Sequence, residues 1–89
     1  MRIVWDEPKR RTNLAKHGFD FADLSLDFFD GAFVRATRVE RAEAVGPHGQ
    51  HVITVVFARL GSEAISVISM RRASRQERRA YEAKDTASH

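Results

Sequence analysis

The sequence predicts an α+β domain in the order β-α-α-β-β-β-α, with a mainly antiparallel, twisted sheet packed by helices. Three observations lead there. Helix-start signals sit near the two ends of the chain, at Asp6 and at Ser74-Arg75-Gln76-Glu77. A β-branched, apolar run from Val52 to Ala58 lies between them, bounded by glycine-rich stretches. Strands are gathered in the middle rather than alternating with helices, which favours antiparallel hairpins over a parallel α/β sheet.

Taken in order, Arg2-Ile-Val-Trp5 reads as a short first strand. Asp6 is a natural N-cap, Pro8 is tolerated in a first turn, and Gly18 suits the position after a helix end, which frames a helix over 7–17. That helix offers a core little beyond Leu14 and Ala15, whereas Lys9, Asn13, Lys16 and His17 fall on one arc of it. Asp20 can cap a second helix over 21–29, whose Phe21, Leu24 and Phe28 form a core stripe ended by Asp30-Gly31. Residues 33–43 read as one polar strand, with Phe33, Arg35, Thr37, Val39 and Arg41 on one side, and 46–50 (Gly-Pro-His-Gly-Gln) as a loop. Val52–Ala58 suits a central strand covered on both faces, and 63–70 the next strand after a tight turn at Leu60-Gly61-Ser62. Ser74 and Glu77 form a capping box for a last helix to about residue 84. Its Arg75, Arg78, Arg79 and Glu82 share one face, while Glu77, Ala80, Tyr81 and Lys84 share the opposite one. Residues 85–89 are expected to fray.

The chain of 89 residues has room for one core, so a single domain over 1–89 is expected. A chain this size buries only roughly 60–65% of its unfolded surface, which leaves a narrow stability margin and leaves self-pairing open. With no cysteine, disulfides, zinc–thiolate sites and cysteine nucleophiles are excluded together. No apolar run approaches a membrane span and no signal-peptide core opens the chain, so a cytoplasmic protein is expected. The net charge is +3, and its distribution matters more. Residues 1–19 carry an excess of three positive charges and 71–84 an excess of four, while 20–33 hold four aspartates and no basic residue. Two basic segments brought onto one face would favour a polyanion; solvated helix faces are the plain alternative.

No metal motif, phosphate loop or nucleophile elbow is present, and no cofactor is expected; His48 and His51 share a loop with no carboxylate close in sequence. The remaining inventory of arginines, lysines, His17, Tyr81 and Glu77 suits RNA cleavage by the substrate's own 2′-hydroxyl. That reaction needs phosphate gripped, attack aligned, negative charge stabilised and protons moved. Arginine forks match phosphate oxygens, and histidine exchanges protons near neutrality. Each candidate also has a structural reading. His17 suits a helix end, Arg71 and Arg72 suit a sheet edge, and Tyr81 with Glu77 suits helix docking. Arg75, Arg78 and Arg79 suit a solvated face or a surface for an acidic partner.

The element order, with Trp5-Asp6-Glu7, Lys9, Asn13, Lys16-His17-Gly18-Phe19, Phe21 and Phe29-Asp30, then Arg59, Gly61, Ile68-Ser69, Arg71, Ala73, Glu77-Arg78 and Tyr81, resembles the BrnT-type toxins. These are small ribonucleases of type II toxin–antitoxin pairs with a RelE-like fold, and the resemblance runs from Trp5 to Tyr81. Two positions depart from the family's habit: Ser66 stands where an arginine is common, and Met70 where alanine is frequent. The resemblance implies a metal-independent endoribonuclease that inhibits translation, on free or ribosome-associated RNA. A ribbon-helix-helix antitoxin would neutralise it and make the operator DNA contacts. It further implies His17, Arg59, Arg71 and Tyr81 as the catalytic group. On the chemistry of the residues themselves, His17 would transfer a proton, Arg71 stabilise the phosphorane, Arg59 grip phosphate and Tyr81 orient the scissile group or the base. Lys9, Asn13, Lys16, Arg72, Arg75, Arg78 and Arg79 would hold RNA. The rival expectation is a non-catalytic nucleic-acid- or partner-binding module that works through its basic helix faces.

Overall fold

The chain is described by a computed structural model covering residues 1–87. Strand β1 (Arg2–Trp5) leads into α1 (Glu7–His17), then a 3-10 turn (Phe21–Asp23) and α2 (Leu26–Gly31). Four consecutive antiparallel strands follow: β2 (Phe33–Arg38), β3 (Arg41–His48), β4 (His51–Leu60) and β5 (Ala64–Arg72). Helix α3 (Arg75–Ala87) closes the described chain. The sheet order is β1-β5-β4-β3-β2, and β1 joins β5 in parallel, so α+β with a mainly antiparallel sheet is the observed class.

The first helix forms where its end signals place it. Asp6 accepts from the Lys9 N–H, and Gly18 closes the helix in the left-handed region, at φ 78°, with its N–H on the Leu14 carbonyl. The capping box of α3 is also present, Ser74 N–H to Glu77 at 2.7 Å and Glu77 N–H to Ser74 Oγ at 3.1 Å. The helix then continues to Ala87, three residues past the expected end, and the expected fraying at 88–89 lies outside the described residues.

Three expectations need correction. The helix over 21–29 is two pieces, because Asp20 accepts from the Ala22 N–H and closes a 3-10 turn before α2 restarts after Ser25. The break lets Phe21 and Phe28 both bury against the sheet. The single strand over 33–43 is a hairpin instead. It reverses at Val39-Glu40, where Glu40 takes the left-handed region at φ 65°, and the sheet therefore has five strands. The loop expected over 46–50 shrinks to Gly49-Gln50, since Gly46, Pro47 and His48 pair with Ile53, Val52 and His51. At Gly46 a Cβ would stand 3.1 Å from the Phe28 ring, so glycine there allows α2 to lie close on β3.

The two faces of the sheet differ sharply. On the packed face, Phe19, the 3-10 turn and α2 cover Ile53, Val55, Phe57, Val67 and Met70, all 2% exposed or less, with Phe21 and Phe28 completing the core. On the opposite face α3 lies over one end only. Thr54 is fully buried beneath it, whereas Val56, Ala58, Ser66 and Ser69 stay half-exposed. Coverage of β4 on both faces thus holds only where α3 sits.

Candidate nucleic-acid interface

Strand alternation and pairing fix which side chains share the charged face. Phe33 stands opposite Val45 and Arg35 opposite Glu43. Val45 in turn faces Thr54, and Glu43 faces Val56. Arg71 faces Thr54, and Ser69 faces Val56. Val56 pairs with Ser69 while Phe57 pairs with Val67, so Ile68 is the extra residue of a bulge. The bulge turns Ile68 toward the sheet edge and sets Ser66, Ser69 and Arg71 along the charged face.

Beyond the end of β1, that edge is taken over by α1. Asn13 Nδ2 donates to the Met70 carbonyl at 3.0 Å, and Asn13 Oδ1 accepts from the Met70 N–H at 3.1 Å. One amide thus replaces the strand partner that β5 lacks there, and a third bond to the Phe19 carbonyl pins the turn after α1. Asn13 is 7% exposed, so the expectation that it contacts RNA is corrected: it is a buried anchor. Arg10 anchors the same helix by bridging Glu7 and Asp20. Glu7 is held down to about 2, chiefly by its hydrogen bond from Arg10 and then by that from the Trp5 indole.

Anchoring in this way leaves the other side of α1 exposed. Lys9, Thr12, Lys16 and His17 line a shallow groove of about 390 Å³ against Ile68 and Ser69. Ser69 is two residues from Arg71 on one face, roughly 7 Å along the strand. The basic edge of α1 therefore opens directly onto the face that carries Arg71.

Arg71 is the centre of a charge network. Its two terminal nitrogens meet the two Glu77 oxygens at 2.7 and 2.9 Å, a bidentate fork, and one also reaches Glu43 at 3.4 Å. Thr54 Oγ1 donates to Glu77 at 3.0 Å from below, and Arg35 donates to Glu43 at 2.6 Å. The Arg71 hydrogen bond first, with those from the Ser74 N–H and Thr54, holds the Glu77 carboxyl down to about 2 against the opposing effect of burial. Glu77 raises Arg71 in return. The capping glutamate of α3 is thus also the residue that fixes the Arg71 guanidinium.

The four expected catalytic side chains are not brought together. Only His17 and Arg71 border a common surface. Arg59 pairs opposite Ile65 on the packed face, in a cleft with Asp30, Phe29, Val34 and Phe57. Tyr81 lies at the end of the sheet beside Asp23, Asp27, Phe28 and His48, an acidic surrounding. The expectation of one site built from all four is corrected, because β-strand alternation sends Arg59 to the wrong face and α3 carries Tyr81 past the sheet. Arg72, next to Arg71 in sequence, pairs opposite Ile53 and likewise leaves the charged face. Arg75, Arg78 and Arg79 are exposed on the outer side of α3, while Glu77, Ala80 and Tyr81 dock it. His48 and His51 pack edge-on against Phe19, with ring centroids 6.1 and 5.7 Å away. Among the described residues, no group of three or more His, Cys, Asp or Glu side chains could hold a metal ion, and no helix is long and apolar enough to cross a membrane. Sequence reasoning gave Arg35, Glu43 and Thr54 no role, and Ser69 none beyond its place in the family motif. Each is an ordinary polar strand residue until pairing places it next to Arg71.

A family model described as the ribonuclease toxin BrnT of type II toxin–antitoxin systems matches residues 5–77. The chain belongs to the BrnT family. A crystal structure of the Brucella abortus ribonuclease toxin BrnT is 56% identical and superposes with a TM-score of 0.79, covering 84% of this chain and 99% of that one. No curated protein matches the chain. The BrnT model ends at Glu77, so it contains α1, the β5 bulge, Arg71 and its glutamate, but not Tyr81. The position where BrnT-type sequences commonly carry an arginine, Ser66 here, lies on the charged face in line with Ser69 and Arg71.

Proposed function

We propose that this chain is an endoribonuclease toxin that cuts RNA across the charged face of its sheet, in the cytoplasm, under the control of a cognate antitoxin. One observation carries the reading: α1 presents Lys9, Lys16 and His17 beside the face bearing Arg71, in a chain of a ribonuclease toxin family. Lys9 and Lys16 attract the phosphate backbone, supplying the salt-sensitive part of binding. The substrate supplies the nucleophile. Its 2′-hydroxyl loses a proton and attacks phosphorus, and the bond to the 5′-oxygen breaks, leaving a 2′,3′-cyclic phosphate and a 5′-hydroxyl. His17, exposed at the end of α1, exchanges protons with the reacting oxygens. Arg71, already oriented by Glu77, brings its positive charge to the charge that grows on the phosphorane.

Because these roles need only side chains, the reaction is expected to be metal-independent. The antitoxin is expected to be a ribbon-helix-helix protein that makes the operator contacts. The test is cleavage of RNA by the purified chain with EDTA present, with fragment ends analysed. Cyclic phosphate ends that disappear in both His17→Ala and Arg71→Ala support the reading. Intact RNA bound with a steep salt dependence identifies a binding module instead, and undiminished cleavage by both variants shows that the site lies elsewhere.

A further inference from the structure

Beside Arg71 lies a pocket that the proposed reaction does not use. It measures about 310 Å³ and is walled by α3 on one side and by β2 and β3 on the other. Val45, buried, with Phe33 and Ala80 gives it an apolar lining, while Arg35, Glu43, Gln76 and Glu77 supply polar edges. Such a mixture suits a flat group that is apolar on its faces and polar on its rim. Unstacked bases of single-stranded RNA have that character, and proteins recognise them by packing against the faces and hydrogen-bonding the edges.

The polar edges also carry a hydrogen-bonding pattern of their own. Glu43 accepts from Arg35 at 2.6 Å through one oxygen, but its other oxygen meets Arg71 only at 3.4 Å, near the limit of a hydrogen bond. A carboxylate has about four lone-pair sites, so Glu43 keeps acceptor capacity. The Arg35 side chain, paired with Glu43, is 61% exposed, so its outer edge faces solvent. An acceptor pair thus stands next to a donor fork. Guanine presents the complement: N1–H and the N2 amine are adjacent donors, and O6 and N7 beside them are acceptors that suit arginine. Adenine and cytosine place a ring acceptor next to their amino group, and uracil flanks its one donor with two carbonyls. Each of these would aim an acceptor at the carboxylate.

We propose that this pocket takes a guanine base adjoining the scissile phosphate, with Glu43 on its N1–H and N2 amine and Arg35 on its O6 and N7. The inference rests on the ribonuclease reading, since it assigns that reaction a base preference. Short oligouridines, 2′-deoxy at every position so that they cannot be cut, test it when one central base is varied and binding to the full chain is followed by fluorescence anisotropy. Guanine should bind roughly tenfold more tightly than inosine, which lacks only the N2 amine, because one charge-assisted hydrogen bond is lost. In Glu43→Gln that ratio should fall to within about twofold, since an amide offers one acceptor and opposes a donor to the base. Arg35→Ala, at an exposed position, should instead remove the preference for guanine over 7-deazaguanine, and it carries the test if thermal melts show Glu43→Gln to be unfolded. Equal binding of all bases by the unaltered chain, or a guanine preference that survives the folded variants, overturns the proposal. Cleavage assays separate the two readings. A chain that cuts RNA without base preference loses the pocket alone, whereas one that prefers guanine and cuts nothing loses the ribonuclease reading.

Discussion

The two faces of the sheet are built from the same strands and behave as opposites. The packed face is apolar and covered by the 3-10 turn and α2, and its side chains answer to one another through volume. The charged face is half-covered, and its side chains are held by ion pairs whose partners come from three different strands and a helix. Stability therefore resides mainly on one side, which leaves the other available for a polyanion. A domain this small can separate the two only because alternate residues of a strand point opposite ways.

Five substitutions test that separation, in descending order of expected effect, with Arg59→Ala as the control for Arg71→Ala. Phe57→Ala empties a site that is 2% exposed at the centre of the packed face. It should cost about 3–5 kcal/mol in a urea unfolding curve, enough to unfold much of a marginal domain. A small cost there would mean that the core is not where the stability lies. Arg71→Ala should lower RNA cleavage roughly a hundredfold or more, the size of loss seen when a transition-state charge partner is removed. Arg59→Ala, on the packed face, should stay within about twofold of the unaltered rate in the same assay. Similar losses in both variants would erase the distinction between the faces.

Asn13→Ala removes the bonds to Met70 and Phe19 and should cost about 2 kcal/mol of stability, read as a lowered thermal midpoint. Weakened RNA binding at unchanged stability would restore Asn13 to the binding surface. The last effect is pH-dependent. Glu77 has its folded pKa depressed from 4.5 to about 2, so the stability it adds is complete above about pH 4.5 and is lost as pH falls toward 2. The stability gap between the unaltered chain and Glu77→Gln should therefore close over that window. A gap that stays constant down to pH 2 would show that the Arg71–Glu77 pair does not hold α3 in place.

Local features were legible to the extent that their causes are local. Asp6 and Gly18 bracket α1, and Ser74 with Glu77 starts α3, because capping depends on residues three or four apart. The BrnT resemblance found from Trp5 to Tyr81 agrees with a family match over residues 5–77. The hairpin at Val39-Glu40 was missed because no glycine or asparagine marks it; Glu40 adopts the left-handed region without the usual residue type. The break between the 3-10 turn and α2 was missed for a related reason, since the apolar spacing of Phe21, Leu24 and Phe28 suits a continuous helix.

For the site, a basic arc on α1 could be drawn from sequence, and Lys9, Lys16 and His17 do line one groove. Asn13 shared the arc but turned inward, because an edge strand left unpaired past β1 needs a donor and an acceptor at one point. Helical angle alone cannot say which side of an arc the sheet edge will meet.

The sequence by itself determined the class of fold, the ends of α1 and α3, the absence of thiol chemistry and the surplus of positive charge at both ends of the chain. These depend on residue type and on neighbours within a few positions. The tertiary structure alone decided that Arg71 shares a face with Glu43, Thr54 and Ser69 while Arg59 does not. That outcome rests on strand pairing and on a single bulged residue, Ile68, and a shift of one residue in a β-ladder exchanges the two faces.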